Sequence, residues 1–374
     1  MVLIIAASTL MHVYVFRRIQ SVPFISRRIP GKVLVFVFFT LWLTSLIAHP
    51  LGHYDPGLFA VCLEWFGLHW LGSLFIVFTT LLVLDIATGF GYFLPRFASR
   101  FRGVALLASS GFVLLAFIQG MRPPVVSDYE TVVANLPPQE DGTVIVVLSD
   151  LHIGALLDQN WLSERAKQVA ALKPDFLFLV GDLIEGHGPA GTTQDLLPVL
   201  GRLKASKGVY LVAGNHERHM AGGSGLRLFE DAGFYPLRDT WTRVSPGIIL
   251  AGIDDPSVRA AKEAGKDPFP GILAGRPDGM VTILLSHRPD LVREAAEAGV
   301  NIMFSGHTHG GQIWPFGEIS RIVHPFLEGL YVVDGMSLFV SRGTGTWGPC
   351  MRLWRPGEIV RVRLFAPTRG RNAS

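Results

Sequence analysis

The sequence predicts a two-part protein: a bundle of about four membrane-spanning helices, then an α/β domain built on a pair of sheets with flanking helices. Three observations predict it. Long apolar runs crowd the first third of the 374 residues. Two proline pairs, in "MRPPVVSDYE" and "ANLPPQEDG", mark a linker and an entry turn after that third. From Thr143 onward, short β-branched runs alternate with amphipathic stretches. Hydrophobic residues make up 49% of the chain and charged residues 17%, which is too apolar for one ordinary soluble domain.

The apolar runs cover 2–16, 33–48, 68–90 and 104–120, each near the length of about 20 residues that spans a bilayer. The first has no basic start and no clear small-residue cleavage site, so it reads as a retained helix and not as a cleaved leader. Arg17, Arg18, Arg27, Arg28 and Lys32 follow the first run, and Arg96, Arg100 and Arg102 precede the last. The loop between the second and third runs carries only Asp55 and Glu64. By the positive-inside bias the two basic loops face the cytoplasm, and everything after Arg122 faces the outer side of an inner membrane. The expected organisation is a transmembrane region over 1–122, a linker over 123–142, a globular domain over 143–366 and a tail over 367–374. Asp85 lies in the third run toward its cytoplasmic end, where interfacial solvation is the simplest account of a carboxylate.

Charge separates the same two parts. Residues 1–122 hold nine Lys/Arg against three Asp/Glu, leaving 24 against 27 for the remainder. The basic balance therefore belongs to the membrane loops, and the globular part lacks the electrostatic footprint of a nucleic-acid binder. Cys62 and Cys350 lie in different regions and suggest no disulfide framework.

Within the globular part, "TVIVVLSD", "DFLFLVGD", "GVYLVAGN", "GIILAGID", "VTILLSH" and "NIMFSGH" read as buried strands, with helices over 161–172 and 289–298. "LYVVDG", "SLFVSRG" and "EIVRVRLF" read as further strands with tighter connections. Almost every strand ends in Asp, Asn or His. Ligands gather at the carboxyl ends of strands in open α/β sheets, and that edge would collect Asp150, His152, Asp182, Asn215, His216, His287, His307 and His309. So many polar groups at one edge are costly without a ligand to satisfy them.

Asp150 and His152 are two residues apart, as are His307 and His309, so on extended backbone each pair would point one way. Asp182 has two carboxylate oxygens and can bridge two ions. Asn215 offers a neutral carbonyl and His287 another imidazole. This thiolate-free N/O set suits Mn, Fe or Zn ions better than a structural cysteine site, and seven ligands fit two ions sharing a bridge. Taken singly, each residue has a plainer reading as a turn, a cap or a surface histidine. The joint pattern favours metal.

"SDLHIG", "GDLIEG", "GNHE", "SHRPD" and "GHTHGGQ", in this order, resemble the signature of the calcineurin-like metallophosphoesterases, over roughly 143–366. The resemblance implies a four-layer α+β arrangement, a β-sandwich flanked by helices. It implies one ion held by Asp150, His152, Asp182 and His309, and a second held by Asp182, Asn215, His287 and His307. The residue matching His216 acts beside the metals on the phosphate. The stretch "SRGTGTWGPCMRLWRPGEI" resembles a membrane-associated or exported branch. Two ions about 4 Å apart would bind phosphate oxygens and generate a hydroxide for in-line attack, with His216 donating a proton to the leaving oxygen or stabilising the transition state.

The expected function is thus a membrane-anchored, metal-dependent phosphoric ester hydrolase acting on a phosphomonoester, phosphodiester or pyrophosphate, with a lipid-linked phosphate the first expectation. The competing class is a non-catalytic scaffold or receptor that binds metal with the same fold. It predicts eroded ligands, whereas all seven ligand positions and His216 are present. Other residues carry weaker claims. Arg288 and Trp314 are candidate substrate contacts, and so is Gln312 by position alone. Glu217, Arg218 and His219 are expected to cover their loop. Asp254 and Asp255 either orient a histidine or form a turn. Phe316, Trp347 and Trp354 pack under the loops or join Trp314 in an apolar lip pressed toward the bilayer.

Overall fold

The computed structural model describes residues 2–54, 57–154, 156–185, 192–217, 224–256 and 267–367. They form two compact units. The first comprises Met1–Arg122 together with Ile313–Phe316 and Gly348–Trp354, and the second comprises Pro123–Gln312, Gly317–Trp347 and Arg355–Ser374.

The first unit is helical: α1 (Val2–Gln20), the short α2 (Pro23–Ser26), α3 (Gly31–Tyr54), α4 (Leu58–Ala87) and α5 (Ala98–Met121). Among the described residues three helices, α3, α4 and α5, are long and apolar enough to cross a membrane, against the expected count of about four. Helix α1 carries polar residues within its apolar run and ends on Arg17 and Arg18. Those polar residues serve the packing. Thr9 Oγ1 accepts from Trp42 Nε1 at 2.9 Å, and His12 Nε2 accepts from Trp70 Nε1 at 2.9 Å.

Asp85 is also corrected. It is not solvated at an interface but is 1% exposed. Tyr14 Oη donates to it at 2.5 Å, Arg18 Nε lies 2.6 Å away, and Arg102 Nε donates at 3.2 Å. A buried carboxylate among apolar helices is tolerated when partnered in this way.

Two later segments are built into the helical unit. Ile313, Met351 and Leu353 join Ile76 of α4 and Ala116 of α5 in one apolar cluster. The Cys350 N–H donates to His69 Nε2 at 3.1 Å, and the Arg352 N–H to the Ala116 carbonyl at 3.0 Å. Both cysteines are free thiols.

The second unit holds two six-stranded mixed sheets. One contains β1 (Val125–Val132), β2 (Val144–Leu148), β3 (Phe176–Val180), β4 (Val209–Val212) and β5 (Tyr235–Pro236). The other contains β6 (Thr240–Ser245), β7 (Ile248–Ile253), β8 (Val281–Ser286), β9 (Ile302–Ser305), β10 (Gly329–Val333) and β11 (Met336–Val340). The last strand, β12 (Glu358–Phe365), returns to the first sheet between β1 and β2. Part of the stretch read as a linker is therefore sheet, since β1 pairs in parallel with β12 along its whole length.

Alternation along the strands makes the layers. Ile145, Val147, Phe176 and Phe178 meet Ile248, Leu250, Ile283 and Phe304 of the other sheet in one core. The intervening Val146, Leu148, Leu177 and Leu179 face the opposite way, with Leu162 and Val169 of α6 (Gln159–Ala171), Leu200 of α7 (Thr192–Leu200) and Phe229 of α8 (Ser224–Asp231). Ala251 and Leu284 of the second sheet likewise pack with α9 (Phe269–Ile272) and α10 (Val292–Glu297). The result is the helix–sheet–sheet–helix layering expected, because strands buried on both faces read as near-continuous apolar runs. One further helix, α11 (Phe316–Val323), follows the last motif.

Candidate metal centre

Every candidate ligand sits just past the carboxyl end of a strand. Asp150 and His152 follow β2, Asp182 follows β3, Asn215 and His216 follow β4, His287 follows β8, and His307 and His309 follow β9. The backbone there is not extended. Asp150, His152, Asp182, His307 and His309 all have φ between 45° and 71°. Left-handed backbone costs a non-glycine residue about 1–3 kcal/mol and persists where surrounding contacts over-determine it.

Those contacts are explicit. The His307 N–H donates to both carboxylate oxygens of Asp150 at 3.1 Å, and the His216 N–H donates to Asp182 Oδ1 at 2.9 Å. Buried Glu217 accepts from the backbone N–H groups of Asp182 (3.0 Å), Leu183 (2.7 Å), Ile184 (3.1 Å) and Gly214 (2.6 Å). It thereby ties the loop after β3 to the loop after β4. Glu217 acts from within, not as cover, and Arg218 and His219 lie outside the described residues. A Cβ at Gly214 or Gly306 would collide with the carboxylate of Asp182 or Asp150 respectively, so both loops need glycine for close approach.

The donor atoms fall into two groups. In the first, His309 Nε2 lies 3.1 Å from His152 Nε2 and 3.5 Å from Asp150 Oδ1. In the second, Asp182 Oδ2, Asn215 Oδ1 and His307 Nδ1 each lie 3.2 Å from His287 Nε2. Asp150, His152 and His309, and likewise Asp182, His287 and His307, are spaced as metal-holding sets.

The second nitrogens of the histidines set which lone pair faces inward. His152 Nδ1 meets Glu185 Oε2 at 2.6 Å, and His287 Nδ1 meets the Val180 carbonyl at 3.0 Å. Assigning the proton to Nδ1 in each case leaves Nε2 as the ligand atom, which is how outer partners orient a metal-binding imidazole. His152 Nε2 then faces His309 Nε2, and His287 Nε2 faces His307 Nδ1. Paired nitrogen and oxygen lone pairs at about 3 Å repel unless a proton or cation lies between them, and two divalent ions fit this donor set.

Without metal, protons take up part of this donor set. Burial disfavours the charge on His287, yet Asp182 beside it raises its pKa to about 10. Burial also disfavours charge on Asp182, but His287, then His152 and His216, hold its carboxyl well below the ordinary range. Burial, with His287 and Arg288 adding to it, lowers His307 to about 3, so its imidazole stays neutral.

Glu185 was absent from the sequence-derived site, although it stands three residues after Asp182 in "GDLIEG". Besides His152 it contacts His216 Nδ1 at 2.9 Å. Burial opposes its charge, but hydrogen bonds from His152 and His216 hold it well below the usual carboxylate range. For His216 burial again opposes charge, and the Glu185 hydrogen bond with nearby Asp182 raises it to about 9. His216 Nε2 lies 3.8 Å from Asp182 Oδ2, beside the donors.

Arg288 is brought to the site. Its Nε donates to His307 Nε2 at 3.2 Å, and Asp255 lies 3.7 Å from the same nitrogen. Asp255 thus reaches His307 through the arginine, whereas Asp254 pairs with Arg238 at 2.8 Å. Gln312 is not poised for substrate, because its amide makes two hydrogen bonds with the Trp347 backbone, at 3.0 and 2.9 Å. Trp314 belongs to the helical unit, where its ring meets Trp354 at 5.1 Å.

Comparisons with known proteins point the same way as this geometry. Residues 143–311 match the family model described as calcineurin-like phosphoesterase. A Bos taurus protein described as "Transmembrane protein with metallophosphoesterase domain" is 31% identical over 277 residues, 70% of this chain and 62% of its own length. The chain thus spans less than two thirds of that relative. An uncharacterized metallophosphoesterase of Helicobacter pylori is 30% identical over 261 residues, 69% of each chain. One from Aquifex aeolicus is 31% identical over 230 residues, 60% of this chain and 86% of its own. With its ordered motifs and paired donor groups, the chain belongs to the calcineurin-like metallophosphoesterase family.

Proposed function

We propose that this protein is a membrane-anchored, dinuclear metal-dependent phosphoesterase whose catalytic domain faces away from the cytoplasm. The observation that carries the reading is the pair of donor groups, in which seven N and O ligand atoms converge. Asp150, His152 and His309 would hold one ion, Asn215, His287 and His307 the other, and Asp182 both. Bound Mn, Fe or Zn ions supply Lewis-acid charge for phosphate oxygens and lower the pKa of water.

The chain's own residues do the rest. Glu185 orients His152 as a ligand and His216 as a proton donor to the leaving oxygen. Arg288, steadied by Asp255, presents a guanidinium beside His307 that suits a phosphate oxygen. Sidedness is supported inside the helical unit. Arg18 and Arg102, from the two basic loop regions, meet on one Asp85, so both loops lie at the same end of the helices. The proposed substrate is a lipid-linked phosphoester or pyrophosphate, which tethering to a membrane favours.

The test pairs metal analysis of the purified protein with a screen of soluble and lipid phosphoesters, using Asp182→Ala as the blank. Two ions per chain and hydrolysis abolished in the blank are expected. Unchanged hydrolysis and metal content in Asp182→Ala would sink the scheme. A C-terminal tag reachable only from the cytoplasm would reverse the topology.

A further inference from the structure

Helix α11 is built inside out. Its apolar residues Phe316, Ile319, Ile322 and Val323 fall at i, i+3, i+6 and i+7, one face of a helix. That face is the exposed one, at 47%, 53%, 84% and 73% respectively. The side turned to the protein is Gly317, where an added Cβ would stand 3.0 Å from the Gly310 carbonyl of the "GHTHGG" loop. Glu318 is engaged by Arg355 at 3.3 Å and by Arg321 at 3.6 Å. A helix that packs on its own domain through glycine and turns its aliphatic face outward needs an apolar partner.

The position of the helix says which partner. Its first residue, Phe316, belongs to the helical unit and packs edge-on against Phe75 of α4 with ring centroids 6.1 Å apart. Phe75 lies inside a candidate membrane span, ten residues from the buried charge at Asp85, or about 15 Å along the helix. The residue just past the other end of α11, His324, sets its ring 5.5 Å from that of His307. Within the helical unit, then, the first residue of α11 packs on a membrane-span helix, and within the second unit the residue past its last turn lies beside the donor set.

We infer that α11 is a lipid-docking helix: its Phe316–Ile319–Ile322–Val323 face lies in the bilayer and brings the phosphate of a membrane lipid to the metal centre beside His307. The substrate part rests on the phosphoesterase reading above, while the docking part stands on α11 alone.

Full-length protein in phosphatidylglycerol/phosphatidylcholine vesicles tests both parts. Photoreactive benzoylphenylalanine replacing Ile322 is expected to form covalent adducts with phospholipid, and the same probe replacing Glu130 on exposed β1 is not. Adducts only with a second copy of the chain, or no more lipid adducts at 322 than at 130, would overturn the docking. I322E and V323E are expected to slow hydrolysis of a vesicle-embedded phosphoester roughly tenfold through KM, leaving bis(p-nitrophenyl) phosphate turnover unchanged. Equal loss on both substrates overturns lipid delivery. Lipid adducts at 322 in a metal-loaded protein that hydrolyses neither substrate would uphold docking and sink the phosphoesterase reading instead.

Discussion

Two buried polar clusters, one in each unit, are made of similar residues and behave differently. In the helical unit, Asp85 is met by one hydroxyl and two guanidinium groups, so donors face acceptors. In the α/β unit, Nε2 of His152 faces Nε2 of His309 and Nε2 of His287 faces Nδ1 of His307, ligand atom to ligand atom, beside Asp150 and Asp182. The first cluster is complete as the chain makes it and holds helices together. The second sets ligand atoms against one another and is held together by protons, such as that on His287, until cations replace them. A buried charge by itself therefore says little about function, and the orientation of lone pairs says much more.

Four experiments probe that contrast, in descending order of effect. His216→Ala should lower turnover by about 10²-fold or more, the usual worth of a positioned proton donor, with metal content retained. Loss of metal from that variant would make His216 a ligand and enlarge the second cluster. Glu185→Gln should cost roughly 10–100-fold in metal affinity or activity, because it disturbs the orientation of His152 and His216. An unaltered metal titration and rate would remove Glu185 from the site.

Metal binding should also release protons. With its pKa raised to about 10, His287 carries a proton at neutral pH when metal is absent, and coordination must expel it. Apparent affinity should then fall up to about tenfold for each pH unit lowered below that value, for each proton expelled. Calorimetric titrations in buffers of different ionisation enthalpy read the proton count directly, and a count of zero contradicts the assignment. The smallest effect at the metal centre belongs to Asp85→Asn. Removing the charge partner of two arginines should destabilise the helical unit by about 3–5 kcal/mol, while the rate per folded molecule is unchanged. A specific loss of turnover with intact thermal stability would mean that the two clusters are coupled.

Much of the site was legible because its chemistry is written in residue types at strand ends. The apolar runs that make β2, β3, β4, β8 and β9 are buried on both faces, so each can end only where the chain emerges at one edge. Asp150, His152, Asp182, Asn215, His216, His287, His307 and His309 stand at those points. The extended backbone assumed for the two-apart pairs was wrong, since hydrogen bonds from distant loops hold those residues at positive φ. Edge strands β1, β5 and β6 escaped notice because a half-exposed edge leaves no strong apolar run.

Composition and order are written along the chain: the apolar spans with their charge asymmetry, the doubly buried strands, and the donor types in family order. Which groups meet is a property of the folded chain. Folding set Glu185 between His152 and His216, put Glu217 under two loops, brought Arg288 to His307 and Asp85 to Arg18 and Arg102, and turned the apolar face of α11 outward. The physical reason is range. Burial and periodicity act between near neighbours in the chain and leave a local pattern, whereas a hydrogen bond across 33 or 157 residues, as in His152 with Glu185 or with His309, leaves none.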